Sequence, residues 1–155
     1  MGQPRETKRF AIGRFTMDPA VWNVLHDGSL TAVKGCIPGE VILSVEIAYL
    51  CRFLPTKASI LNVTLYQCDQ FEYRPYVAPP VLALSVIVAG GLELLSAELN
   101  EGSMCIACSD GEHGGTLHLR YNAACIATQE GRVLTLAELE SASDQYWTEW
   151  RARNA

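Results

Sequence analysis

Six cysteines and three histidines are the residues here whose side chains could do covalent or metal chemistry. Cys105-Ile106-Ala107-Cys108 is the one short chemical motif, and a CxxC serves either as a redox pair or as half of a zinc site. A redox pair needs a helix N-terminus, where free amides depress the first thiol's pKa. Met104 to Cys108 reads instead as a strand, in which an offset of three sends the two side chains to opposite faces. Zinc would need two further ligands, and Cys125, His113 and His118 stand in no recognised spacing. Both thiols are therefore expected to be ordinary buried or half-buried cysteines.

Imidazole titrates near neutrality, which makes each histidine a candidate acid or base. His26 belongs to a turn, His113 to a glycine-rich reversal, and His118 lies between Leu117 and Leu119 on the opposite face of a strand. Cys105 or Cys108 could pair with His118 as nucleophile and base, but no orienting third residue is indicated. No catalytic residue is assigned on that basis. Val88-Ala89-Gly90-Gly91 and His113-Gly114-Gly115 match neither a dinucleotide nor a P-loop fingerprint and read as turns. No metal and no cofactor is expected.

The elements that would hold these residues read as α+β: a mostly antiparallel sheet with a helix after the first hairpin and a C-terminal amphipathic helix. Arg9 to Thr16 can be a strand. Ala20 to Leu25 and Leu30 to Lys34 read as hairpin arms around Asp27-Gly28. Val41 to Leu54 carries both periodicities; helix is chosen from about Ser44, with Ser44 as N-cap and Pro55 as stop. Ile60 to Gln67 alternates as a half-buried strand. Cys68 to Pro80 reads as a long loop bearing Phe71, Tyr73 and Tyr76, and Val81 to Ala89 as a buried central strand. Leu92 to Leu99 is strand or short helix. Met104 to Cys108 and Thr116 to Tyr121 are strands, followed by a hairpin of Ala123 to Thr128 with Arg132 to Leu134. Thr135-Leu136-Ala137-Glu138 forms a capping box ahead of an apolar stripe of Leu139, Ala142, Tyr146 and Trp150. Tyr146 and Trp150 are expected to pack in the core. No internal repeat or low-complexity tract appears.

With 155 residues, 49% apolar and 19% charged, the chain suits one domain with a contiguous core, residues 9–155, preceded by a polar tail from Met1 to Lys8 that is expected to be flexible. No continuous apolar run marks a signal peptide, so a cytoplasmic location with free thiols is expected. The uncharged stretch from Pro75 to Leu92 is interrupted by Pro79-Pro80 and Gly90-Gly91, too broken for a membrane helix. From Glu93 to Glu149 there are ten acidic residues against Arg120 and Arg132, a balance of 2 − 10 = −8 within a net charge of −5. A face built from that half would repel phosphates and steer in a cationic partner, which argues against nucleic acid. Acidic residues also serve simply to keep an apolar protein in solution.

Phe10-Ala11-Ile12 after a short polar tail, Trp22 before a Gly-turned hairpin ending near Gly35, the following helix, and a final strand leading into a Trp-bearing helix together resemble small bacterial immunity proteins of polymorphic and contact-dependent toxin systems. The resemblance implies a non-enzymatic binding protein that neutralises a cognate toxin by occlusion. Partner contacts are then expected among Glu93, Glu98, Glu101, Asp110 and Glu112, meeting a basic toxin domain. The alternatives are a small-molecule-binding or enzymatic domain, with a pocket between sheet and helix lined by the Phe71 to Tyr76 tyrosines, or a homo-oligomeric structural subunit.

Overall fold

The computed structural model describes residues 13–89 and 91–155. The tail from Met1 to Lys8 and the Phe10-Ala11-Ile12 segment lie outside them. Eight antiparallel strands follow in chain order: β1 (Ser29–Gly35), β2 (Gly39–Glu46), β3 (Ile60–Cys68), β4 (Gln70–Pro75), β5 (Glu93–Asn100), β6 (Ser103–Ser109), β7 (Gly114–Arg120) and β8 (Ala123–Thr128). Among the described residues four helices accompany them: α1 (Pro19–Asn23), α2 (Ala48–Cys51), α3 (Leu84–Ala89) and α4 (Leu136–Arg153). The architecture is α+β with a dominant antiparallel sheet, as the alternating sequence implies.

Hydrogen bonding gives the order β4-β7-β6-β5-β1-β2-β3-β8. Only Asp69 separates β3 from β4, and only Tyr121 and Asn122 separate β7 from β8. Each pair is thus one long bent strand shared between the two ends of the order. The two bends are joined by bonds from the Asp69 amide to the Arg120 carbonyl, 2.9 Å, and from the Asn122 amide to the Tyr66 carbonyl, 2.9 Å. The sheet therefore closes into a ring of β1, β2, β3–β4, β7–β8, β6 and β5, a small barrel whose interior is filled by side chains. Val41, Leu43, Val45, Leu61, Val63, Leu65, Met104, Ile106, Leu117, Leu119 and Ile126 are all buried there.

The chain traces this barrel as two meanders, β1-β2-β3 and β5-β6-β7, that exchange their fourth strands, β4 and β8. Each exchanged strand is covered on its outer edge by isolated returning residues: Val81 bridges Tyr73 of β4, while Phe15 bridges Ala124 and Val133 bridges Ala127 of β8. Covering the edges this way blocks edge-to-edge pairing with other chains. The sequence shows no repeat because barrel packing needs only matching positions of apolar residues, not matching residues.

Three expectations fail for one physical reason, the precedence of tertiary burial over local pattern. Ala20 to Leu25 is not a strand: the Asp18 side chain accepts the Ala20 amide, 2.9 Å, and Pro19 opens α1, burying Trp22 and Leu25. Ser44 does not cap a helix: residues 39–46 keep their alternation because Val41, Leu43 and Val45 fill the barrel, and α2 is a single short turn. Cys68 to Pro80 is not a loop throughout: Gln70–Pro75 form β4, from which Phe71 and Tyr73 point inward, and only Asp69 and residues 76–80 stay irregular. Leu92 to Leu99 resolves as strand, within β5 and its approach. The β1–β5 seam is thin, with Ser29 facing Glu93. Asn23 supplements it: its side chain accepts the Ala97 amide at 2.8 Å and donates to the Ala97 carbonyl at 3.3 Å.

At the C-terminus the capping box forms as its sequence implies. The Thr135 hydroxyl accepts the Glu138 amide at 3.1 Å, and Glu138 accepts the Thr135 amide at 3.0 Å. Leu139 and Ala142 are buried, and Tyr146 is half-buried against Tyr49, ring centroids 4.5 Å apart. Trp150, expected in the core, is 42% exposed, in the half of α4 beyond its buried residues Leu139 and Ala142.

Candidate functional site

The outer face of β4, β7, β6 and β5 carries a row of directly opposed side chains: Glu72 faces His118, His118 faces Cys105, and Cys105 faces Glu98. Strand alternation builds it. Met104, Ile106 and Cys108 turn inward on β6, as do Leu117 and Leu119 on β7, so Cys105 and His118 must turn outward. The motif thiols thus part to opposite faces, as the offset of three requires. All six cysteines are free.

Cys105 Sγ lies 3.4 Å from His118 Nδ1, within reach of a thiol–imidazole hydrogen bond. Burial pushes the Cys105 thiol up; the Glu98 carboxylate adds to this and the Arg74 guanidinium opposes it. Burial pushes the His118 imidazole down, Arg74 pushes it further, and Glu72 pulls against both. Glu72 is itself bound by Arg74. At neutral pH the pair is therefore a neutral thiol beside a neutral imidazole. The juxtaposition that sequence left as merely conceivable is made by strand register, and Glu72 is the flanking group that sequence did not supply.

Above this row sits a cavity of about 240 Å³ lined by Tyr76, Ser96, Glu98, Cys105, Ala107 and Thr116 among others. Tyr76 is held at its edge by its amide, which donates to the Gly114 carbonyl at 3.0 Å. Its ring lies so close to Gly114 that an added Cβ would come within 3.1 Å of it. This pocket lies on the sheet's outer face, and of the expected tyrosines Tyr76 lines it while Tyr73 is inside the barrel. Open grooves along α4, such as that between Phe53 and Thr148, contain no thiol or imidazole.

Tyr76 begins the second feature. Residues 75–92 contain no charged side chain. They do not form the expected buried central strand: α3 buries only Ile87, while Tyr76, Val77, Leu82 and Val86 are 70%, 69%, 69% and 57% exposed. The sequence signal was the missing charge, and apolar content alone does not distinguish a buried strand from an uncovered linker.

The five acidic residues do not form one patch. Glu98 stands on the outer face at the cavity, and Glu93 lies on the same face opposite Ser109. Asp110 and Glu112 sit in the β6–β7 turn, beside Gly114 and thus near Tyr76. Asp110 staples that turn, its Oδ1 accepting the amides of His113 at 2.7 Å and Glu112 at 3.1 Å, which lower its pKa. Glu101 is in the β5–β6 turn at the opposite end of the strands. His26 is occupied structurally, its Nδ1 2.9 Å from the Leu95 carbonyl. Among the described residues no group of three or more His, Cys, Asp or Glu is arranged to hold a metal ion, and no helix is long and apolar enough to cross a membrane. Comparison with protein-family models, curated proteins and solved structures found no match.

Proposed function

We propose that the chain is a non-enzymatic binding protein that docks a basic protein partner on the uncharged linker of residues 75–92 and the acidic residues beside it. The observation that carries this reading is the exposure of Tyr76, Val77, Leu82 and Val86, four large apolar side chains within eleven residues. Together they leave on the order of 500 Å² of apolar surface in water, as large as the functional patches of typical monomers. At about 25 cal/mol per Å², covering it is worth roughly 12 kcal/mol before costs. Association itself costs about 4–15 kcal/mol, so the apolar contact alone supports weak binding. Glu98, Glu112 and Glu93 would add charge complementarity, which raises the association rate and selects a cationic partner. An immunity protein occluding a basic toxin domain is one specific form of this activity.

The test compares the unaltered protein with Leu82→Glu/Val86→Glu and with Glu98→Lys/Glu112→Lys as baits in extracts of the source cells. A single basic partner should be retained at low salt and released at high salt. The apolar pair should abolish capture, and the charge reversals should slow association at least about tenfold. Retention unchanged by both sets of substitutions overturns the reading. The same linker could seat a second copy of the chain; in that case the unaltered protein sediments as a dimer, Leu82→Glu/Val86→Glu as a monomer, and no other protein is captured.

A further inference from the structure

We propose that Cys105 and His118 form a nucleophilic thiol site that takes up small neutral or cationic electrophiles, such as α,β-unsaturated carbonyl compounds, from the cavity beside Tyr76. The proposal shares Tyr76 and Glu98 with the docking reading but does not rest on it, since it needs only Cys105, His118 and the cavity of the chain by itself.

Its geometry has three parts. The thiol and the imidazole nitrogen are 3.4 Å apart, close enough for direct proton transfer. Cys105, only 8% exposed, lines a cavity of about 240 Å³, through which a small molecule would approach it. Glu98 lines the same cavity and stands opposite Cys105, which disfavours an anionic visitor. The other cysteines lack this combination. Cys51, Cys68 and Cys108 are buried like Cys105, with thiols pushed to about 11, about 11 and about 12, but do not line this cavity; Cys125 is half-buried, its thiol also raised by burial, and does not line it either. Cys36 is exposed, with no histidine partner among the described hydrogen bonds.

The step balances without an oxidant. The sulfur bonds to the β-carbon of the electrophile as the carbon–carbon π bond breaks. The thiol proton passes to His118 Nδ1 and from there to the α-carbon. Because the imidazole rests unprotonated, it can accept that proton at neutral pH. With an alkyl halide the same attack forms one carbon–sulfur bond, and iodide leaves with the bonding pair.

The experiment treats the full chain with iodoacetamide and follows each cysteine by peptide mass spectrometry. Carboxamidomethylation of Cys105 should slow at least about tenfold in His118→Ala and in His118→Gln, while Cys36 is unaffected. Glutamine keeps a hydrogen-bonding side chain but cannot act as the base, so its loss of rate separates proton acceptance from positioning. In the unaltered protein the Cys105 rate should rise as the imidazole deprotonates and then level off before the thiol titrates. Iodoacetamide should outpace iodoacetate at Cys105 by more than it does at Cys36, and Glu98→Gln should narrow that gap. Should the His118 variants fail to fold, the pH profile of the unaltered protein decides. A Cys105 rate that is unchanged in both variants, that follows thiol ionisation alone, or that is undetectable while Cys36 reacts overturns the proposal.

Discussion

His118 illustrates how one residue's surroundings set a property of the whole protein. Its folded pKa lies below the ordinary 6.5, so the unfolded chain binds a proton more readily and acid favours unfolding. Its contribution to stability is present above pH 6.5 and lost as pH falls from there through the folded value. Asp110, Glu130 and Glu138 act in the same direction at lower pH, since hydrogen bonds from amides and hydroxyls lower all three. Above pH 9 the sign reverses. The thiols of Cys51, Cys68 and Cys108 have raised folded values, and the stability of keeping them neutral is lost as pH climbs through those values. Chemical-denaturation midpoints should therefore plateau between about pH 7 and 8.5 and fall on both sides. His118→Gln should flatten the decline between pH 6.5 and 5; an unaltered decline would show that another group controls it.

At the scale of elements, α3 is the informative one, because its two faces make opposite demands. Ile87 is 2% exposed and packs into the core, whereas Val86 beside it is 57% exposed. Ile87→Ala should cost about 2–5 kcal/mol of stability by leaving a cavity. Val86→Glu should change stability by no more than about 0.5 kcal/mol, since it alters solvated surface. Equal losses in urea unfolding would mean that α3 is packed differently. This element also marks where sequence stops being legible. Thr135 and Glu138 announce α4 because a capping box is a local device that works wherever it occurs. Clean alternation likewise announces β3 and β7. Val81 to Ala89 carries no local device, so an apolar run there reads as strand, although only Val81 pairs with β4 and Leu84–Ala89 fold as a short helix that buries Ile87. Val41 to Leu54 satisfies two periods at once, and only the barrel interior around Val41, Leu43 and Val45 decides between them.

For the whole molecule, closure of the barrel leaves the linker outside. The bends at Asp69 and at Tyr121-Asn122 let β4 and β8 exchange between meanders, and the chain must then travel from β4 back to β5 over the surface. Residues 75–92 make that journey without a charge, although a solvated connection is ordinarily polar. The cross-strand row from Glu72 to Glu98 arises from the same closure, and no spacing in the sequence announces it, because its members lie on four strands. Cys105 and His118 were visible as residue types, but their meeting depends on register. The acidic residues were visible as a charge imbalance, and the fold separates Glu101 from the others. The central claim is that the linker with its acidic border is the contact surface. Hydrogen–deuterium exchange of the protein alone and with its captured partner tests this most directly. The account predicts slowed exchange confined to residues 76–89, the β6–β7 turn and β5; protection centred on α4, with the linker unchanged, would contradict it.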